Sequence, residues 1–257
     1  MVWKQRIILK SPAEIAIMRQ AGRINALALE AVRQAIRPGV TTEELDAIAE
    51  EVIRKHGGRP AFKGYPGPYP YPATITVSIN EELVHGIPGP RKIKAGDIVS
   101  VDCGTIYKGF IADSAFTVGV GEISPLARRL IRVTEEALYR GIEQLRPGNR
   151  VGDVSAAIQR HVEVHGFHVT REYTGHGVGR SMHEFPMIPN YGTPGRGALI
   201  REGMTVALEP MVLVGTPKTK VKADKWTVVS ADGSLTAHFE HTIAVTAHGP
   251  LILTVAD

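Results

Sequence analysis

Four acidic side chains sit inside apolar, strand-like runs: Asp102 in DIVSVDCG, Asp113 in GFIADSAFTVG, Glu209 in GMTVALEPMVLV and Glu240 in HFEHTIAVTA. Strands disfavour Asp and Glu, and a carboxylate closed off from water is tolerated when it is paired or bound to a cation. A fold that buries these runs must therefore gather its acids around positive charge. A histidine in a glycine-rich loop, Gly175-His176-Gly177, adds an imidazole to the set. The pattern predicts a cation site inside the fold.

The first two acids lie on consecutive strands. If Ile106-Tyr107-Lys108-Gly109 forms a four-residue turn, Asp102 and Asp113 are directly opposed across an antiparallel hairpin. Opposed side chains share one face, with Cβ atoms about 4.5–5.5 Å apart, and two carboxylates there repel unless a cation lies between them. Four carboxylates and one imidazole are hard or borderline donors, suited to Mn, Co, Fe or Zn. Charge balance favours two divalent ions, and such a pair activates water for hydrolysis. His85, in Val84-His85-Gly86-Ile87-Pro88-Gly89, and His183, seven residues after His176, are candidate proton partners beside such a site. His56, His161, His165, His168, His238, His241 and His248 read as structural or surface residues.

The chain also repeats itself. Arg37-Pro38-Gly39 recurs as Arg146-Pro147-Gly148 and His56-Gly57 as His165-Gly166, both at an offset of 109. The stretch ending in Asp102 resembles the one ending in Glu209 at an offset of 107. Ser11-Pro12 and Ser124-Pro125 each read as an N-cap followed by proline at the first helical position. A second helix follows in each half, the first opened by Thr41-Thr42-Glu43-Glu44, the second running from about Val151. Strands are predicted at about 73–80, 97–105, 110–118, 167–173, 203–215, 226–230 and 236–246. The expected fold is α+β, a single domain over 1–257 with an internal pseudo-repeat of about 11–118 and 124–246. Asp102 and Glu209 would be symmetry mates at its centre. The alternative is one unrepeated α+β domain with coincidental matches.

Bulk properties narrow the function. No apolar stretch approaches the roughly 20 residues needed to span a bilayer, and MVWKQRIILKSPAEI has no apolar core of signal-peptide length. The lone Cys103 excludes an internal disulfide and fits a reducing compartment, so a cytoplasmic location is expected. A net charge of +4 permits weak attraction to the ribosome without marking a DNA binder.

The stretches SINEELVHGIPG, REYTGHGVGRSMHEFP, MTVALEPMV and FEHTIAVT, with the Asp102–Asp113 pair, strongly resemble the type I methionine aminopeptidases of the pita-bread metallopeptidase family. The resemblance runs from AEIAIMRQAGRI to the FEHTIAVT strand. It implies two pseudo-symmetric αβ halves with antiparallel sheet around a central dinuclear metal site. It further implies that Asp102 chelates one metal, that His176 and Glu209 hold the other, and that Asp113 and Glu240 bridge both. Glu209 would also be the general base, forming a metal-bridging hydroxide that attacks the first peptide carbonyl. His183 would polarise that carbonyl and His85 would contact the scissile amide nitrogen. The free α-amine of the substrate would coordinate a metal, which restricts cleavage to the N-terminus. Tyr65 and Trp226 would line the methionine pocket with Met182, which stands where many members carry phenylalanine. Phe62 and Thr76 correspond roughly to pocket cysteines of some members, and the loop Tyr65–Pro72 is longer and richer in proline than usual.

The implied activity is removal of the initiator methionine from nascent chains with a small uncharged second residue, by a monomer using two divalent ions. An X-Pro dipeptidase or aminopeptidase P is the competing enzyme reading, and those enzymes usually carry a large extra N-terminal domain. A metal-free binding protein is the competing non-enzymatic reading, and it would have lost ligands. Gly175-x-Gly177-x-Gly179 lacks the spacing of a nucleotide loop. The run Lys218, Lys220, Lys222 and Lys225 reads as a solvated hairpin, with ribosomal RNA contact as the sharper alternative, and Cys103 reads as a packing residue.

Overall fold

The computed structural model describes residues 6–256, so the reading of the first five residues as free of a leader lies outside it. The elements are α1 (Pro12–Ala35), α2 (Thr42–Lys55), β1 (Arg59–Pro60), β2 (Ile75–Ile79), β3 (Glu82–Val84), β4 (Ile98–Tyr107) and β5 (Phe110–Gly119). They continue with α3 (Pro125–Glu143), α4 (Val151–Val164), β6 (His168–Val169), β7 (Thr174–Gly177), β8 (Glu184–Pro189) and β9 (Thr205–Leu208). The chain finishes with β10 (Met211–Leu213), β11 (Thr219–Val221), β12 (Val228–Ser230), β13 (Thr236–His238), β14 (His241–Thr246) and β15 (Gly249–Ile252).

The helix starts follow the caps. The Ser11 hydroxyl accepts from the Glu14 amide while the Glu14 carboxylate accepts from the Ser11 amide, and Thr41 and Glu44 repeat the exchange at α2. Ser124 caps α3 through the Ala127 amide. Each such cap contributes about 1 kcal/mol. Helix α1 buries Met18, Ala21, Gly22, Asn25, Ala28, Leu29 and Val32, a stripe at helical spacing. A Cβ on Gly22 would lie 2.2 Å from the Leu253 carbonyl oxygen, so only glycine lets the C-terminal segment pass this close.

All strand pairings are antiparallel. In one sheet β4 pairs with β1 and β2 on one side and β5 on the other. A five-stranded sheet has the order β15-β14-β9-β7-β8, and two three-stranded sheets have the orders β13-β10-β6 and β11-β12-β3. The segment 203–215, predicted as one strand, is broken at Glu209-Pro210, and 236–246 is broken at Phe239-Glu240. At both breaks the chain passes between the five-stranded sheet and the β13-β10-β6 sheet. Glu209 and Glu240 therefore sit at sheet-to-sheet crossings, where a side chain can turn into the space between sheets. Asp102, by contrast, lies inside an unbroken strand.

Buried polar bonds tie helix α1 to the hairpin that carries the first two acids. Asn25 donates to the Ser114 hydroxyl at 2.7 Å and accepts from the Thr105 hydroxyl at 2.8 Å. Among the described residues, no helix is long and apolar enough to cross a membrane.

Candidate metal centre

The β4–β5 turn is two residues long, not four. Tyr107 pairs with Phe110, and Lys108 and Gly109 both have positive φ, at 46° and 79°. Two positive φ values characterise the primed turns whose twist matches a hairpin. The register shifts accordingly: Asp102 faces Ala115, and Asp113 faces Gly104. The two acids still share a face but stand diagonally, so the expectation of direct opposition is corrected.

His176 is likewise not in a loop. It lies in β7, paired with Ala207 of β9 and Met187 of β8. Its flanking glycines are explained by backbone crowding: a Cβ on Gly175 would lie 2.7 Å from the Ala207 oxygen, and one on Gly177 would lie 2.7 Å from the Phe185 oxygen. Glu240 is held by an isolated bridge in which its amide donates to Ala115 O at 2.9 Å and the Ala115 amide donates back at 3.2 Å. Asp113 is fixed from the same side by Thr242, whose hydroxyl accepts from the Asp113 amide and donates to its carbonyl, both at 2.8 Å. Behind Glu209, Asn190 donates to its carbonyl at 3.0 Å.

These backbones deliver all five predicted donors to one cavity of about 150 Å³, which His85, His183, Tyr65, Met182 and Trp226 also line. His176 Nε2 lies 3.4 Å from Glu209 Oε1. Asp113, His176 and Glu240 each offer one ligand atom within 4.8 Å of the other two. Asp102 Oδ1, Asp113 Oδ1 and Glu240 Oε1 are buried without a hydrogen-bond partner. Orphaned buried carboxylate oxygens are rare and costly, and a cation among them answers that cost. The residues thus fit a divalent metal.

Burial dominates the electrostatics. It pushes the Asp102 carboxyl up to about 7, and it raises Asp113, Glu209 and Glu240 well above their ordinary range, with the neighbouring acids adding to the effect. The histidines move oppositely: burial lowers His176 to about 3, and His85 and His183 to about 4. They are neutral imidazoles at pH 7, the form that ligates a metal or donates a single N–H.

His85 follows β3 with a left-handed φ of 62° and lies edge-on to Trp226 and Tyr173. His183 stands with its ring 4.4 Å from that of His176, and its Nδ1 lies 2.6 Å from the Tyr65 hydroxyl. The proline-rich loop forms the cavity rim. Gly67 lies against the Trp226 indole, where a Cβ would come within 2.4 Å, and Tyr69 and Tyr71 meet the same ring edge-on. Phe62, Tyr71 and Thr76 complete the wall.

One residue near the centre was read as structural. His238 is buried, with Nε2 3.8 Å from both Glu209 Oε2 and Glu240 Oε2 and without a hydrogen-bond partner. Its spacing of two from Glu240, within an apolar run, was the available signal.

Comparison with known proteins agrees with this geometry. The model of metallopeptidase family M24 matches residues 16–247. The methionine aminopeptidase 1 of Bacillus subtilis is 52% identical over 248 residues, 96% of this chain and 99% of that protein. The crystal structure of the methionine aminopeptidase from Thermotoga maritima has a TM-score of 0.95 at 50% identity, covering 97% of this chain and all of that one. The prolidase from Pyrococcus furiosus has a TM-score of 0.78 at 25% identity, covering 97% of this chain and 66% of that one.

Proposed function

The chain belongs to metallopeptidase family M24, with the α+β pita-bread fold, and we propose that it removes N-terminal methionine from peptides and nascent proteins. The observation that carries this reading is the set of five donors, buried Asp102, Asp113, His176 and Glu240 with the partly buried Glu209, around one cavity with an apolar wall. Similarity to the named methionine aminopeptidases over nearly the full chain supports methionine over proline-directed cleavage, since the prolidase is only half as similar in sequence.

These five residues would hold the metal. Four carboxylates support two divalent ions, drawn from Mn, Co, Fe or Zn. When bound, the ions acidify a water and polarise the substrate carbonyl. Asp102 would help hold one ion, His176 and Glu209 the other, and Asp113 and Glu240 would contribute to both. Glu209 takes the proton from water. It is the most accessible of the acids, at 13% side-chain exposure. The Tyr65 hydroxyl lies 2.6 Å from His183 Nδ1; by donating there it would leave the imidazole proton on Nε2, facing the first peptide carbonyl. His85, neutral and partly buried, contacts the scissile nitrogen. Tyr65, Met182 and Trp226 receive the methionine side chain, whose thioether suits an apolar, aromatic slot.

The whole chain acts as a single catalytic domain of two related halves, and as a monomer in the cytoplasm, a location supported by its lone buried cysteine. A small uncharged second residue fits the confined cavity. Lys218, Lys220, Lys222 and Lys225 around the β11–β12 hairpin, Lys222 also pairing with Glu82 at 2.9 Å, give a weak contact with ribosomal RNA; unchanged co-sedimentation with ribosomes after charge reversal there rejects it. The decisive assay compares Met-Ala-Ser, Leu-Ala-Ser and Ala-Pro peptides on metal-reconstituted protein. Cleavage of Met-Ala-Ser is expected, and cleavage of Ala-Pro without Met-Ala-Ser overturns the reading.

A further inference from the structure

Away from the catalytic cavity, the end of α4 presents a second constellation of metal-ligand type. His161 and His165 are four residues apart, the spacing that places two side chains on one helix face. Their ring centroids lie 4.7 Å apart at an angle of 48°. From α3, Glu136 brings Oε2 to 3.1 Å from His161 Nε2. One ligand atom from each of the three lies within 4.8 Å of the other two.

The surrounding bonds orient this group for ligation. His165 Nδ1 is 2.7 Å from the His161 carbonyl, which can only accept, so Nδ1 carries the proton and Nε2 carries the lone pair. Metal-ligating histidines commonly donate their second nitrogen in this way. The other oxygen of Glu136 faces Arg132 at 3.7 Å, while Oε2 accepts from His161 Nε2, so a bound ion would take the place of the proton shared by that pair. None of the three residues lines the catalytic cavity.

We propose that Glu136, His161 and His165 form an additional metal site that clips α3 to the C-terminal end of α4. A tetrahedral ion with bonds of about 2.1 Å holds its ligand atoms roughly 3.4 Å apart, so the Glu136–His161 pair is already at ligating separation and the rest requires small side-chain rotations. Two imidazoles and a carboxylate select a borderline first-row divalent ion over Mg or Ca, and zinc is the natural probe. The three residues are only partly buried, so the fourth position opens to water.

Zinc bound per chain, measured after equilibrium dialysis, tests this. The double variant His161→Ala/His165→Ala is expected to bind one zinc fewer than the native chain while turning over Met-Ala-Ser at the native rate. An unchanged zinc count in a variant with native circular dichroism overturns the site. A lost zinc accompanied by lost turnover also overturns it, because that ion belonged to the catalytic centre. Should the double variant not fold, His165→Gln alone is expected to weaken zinc binding at the site by about tenfold or more, and an unchanged affinity overturns the proposal.

Discussion

Asp102 and Asp113 project from one face of the β4–β5 hairpin on a diagonal, Asp102 facing Ala115 and Asp113 facing Gly104. Diagonal neighbours stand about 7–8 Å apart instead of the 4.5–5.5 Å of an opposed pair. That separation makes room for carboxylates arriving from Glu209 and Glu240. The residue opposite Asp113 has no side chain, and this has its own purpose. A Cβ on Gly104 would lie 2.7 Å from the Phe62 ring, 2.9 Å from Met182 Cε and 3.0 Å from Ala61 Cβ. Gly104→Ala is therefore expected to push Phe62 and Met182 into the methionine pocket and to lower kcat/KM about tenfold or more, the effect of one misplaced methyl in an apolar pocket. Steady-state kinetics on Met-Ala-Ser check this, and native kinetics would show that the wall yields.

Glu209→Gln keeps the shape of the side chain and removes its ability to take a proton. Peptide binding is expected to survive while kcat falls by about 10²–10⁴-fold, the range for loss of a general base. Pre-steady-state binding and single-turnover rates separate the two. A near-native kcat rejects Glu209 as the base.

Metal removal should expose the carboxylate repulsion as a pH-dependent instability. Asp102 moves from an ordinary 3.8 to about 7 in the folded protein, and Asp113, Glu209 and Glu240 move the same way. Raised carboxylates bind more protons folded than unfolded, so their contribution falls as pH rises. The buried histidines His176 and His238 and the partly buried His85, His183 and His241 are depressed from 6.5 to about 3 or 4, which opposes this trend, but only up to pH 6.5. Above that pH the raised carboxylates outweigh the histidines, and the raised Cys103 thiol acts in the same direction at higher pH. Thermal melts of chelator-treated protein should therefore show Tm declining from pH 6.5 upward, with divalent ion restoring it. A flat Tm in that window would mean that the acids are not clustered as described.

The helices were legible because their caps and apolar stripes are local. Ser11, Thr41, Ser124 and Val151 all mark helix starts as read. The four acids stood out because acids in apolar runs violate a local rule, and His176 because glycines flank it; all five line one cavity. The register was not, because one choice of turn decides it: Tyr107 extends β4 and shortens the turn to Lys108-Gly109. Strand β8 was missed because Pro186 and Pro189 argue against a strand, yet β8 is the edge of its sheet, where a missing amide costs no ladder bond. His238 was passed over because its neighbours Glu209 and Glu240 meet it only where two sheets join.

Tyr65→Phe isolates the support of His183. The variant removes the hydroxyl at 2.6 Å from Nδ1 while keeping the ring in the pocket wall. The imidazole can then carry its proton on either nitrogen, and the fraction presenting Nε2–H to substrate falls. A drop of about 10–100-fold in kcat, with a smaller change in KM, is expected from loss of an orienting partner. An unchanged kcat would show that other contacts hold the His183 tautomer.

Lys10 is buried, donates to one oxygen of the buried Glu184 carboxylate, and is anchored by its own amide donating to Gly203 O at 2.7 Å. The other oxygen of Glu184 accepts from the amides of Arg180 and Ser181, at 2.9 and 3.3 Å. One carboxylate thus fastens the N-terminal segment to the loop that carries His183. Lys10→Met leaves that carboxylate closed off without its cation, and breaking a buried pair in this way costs about 3–5 kcal/mol. Adding Glu184→Gln removes the stranded charge while keeping an acceptor for the two amides, so the double variant should recover much of the loss. Urea unfolding of the two variants reads both quantities. Equal stability of the single variant and the native protein would show that water reaches the pair; a double variant no better than the single would assign the loss to packing of the lysine stem instead of charge.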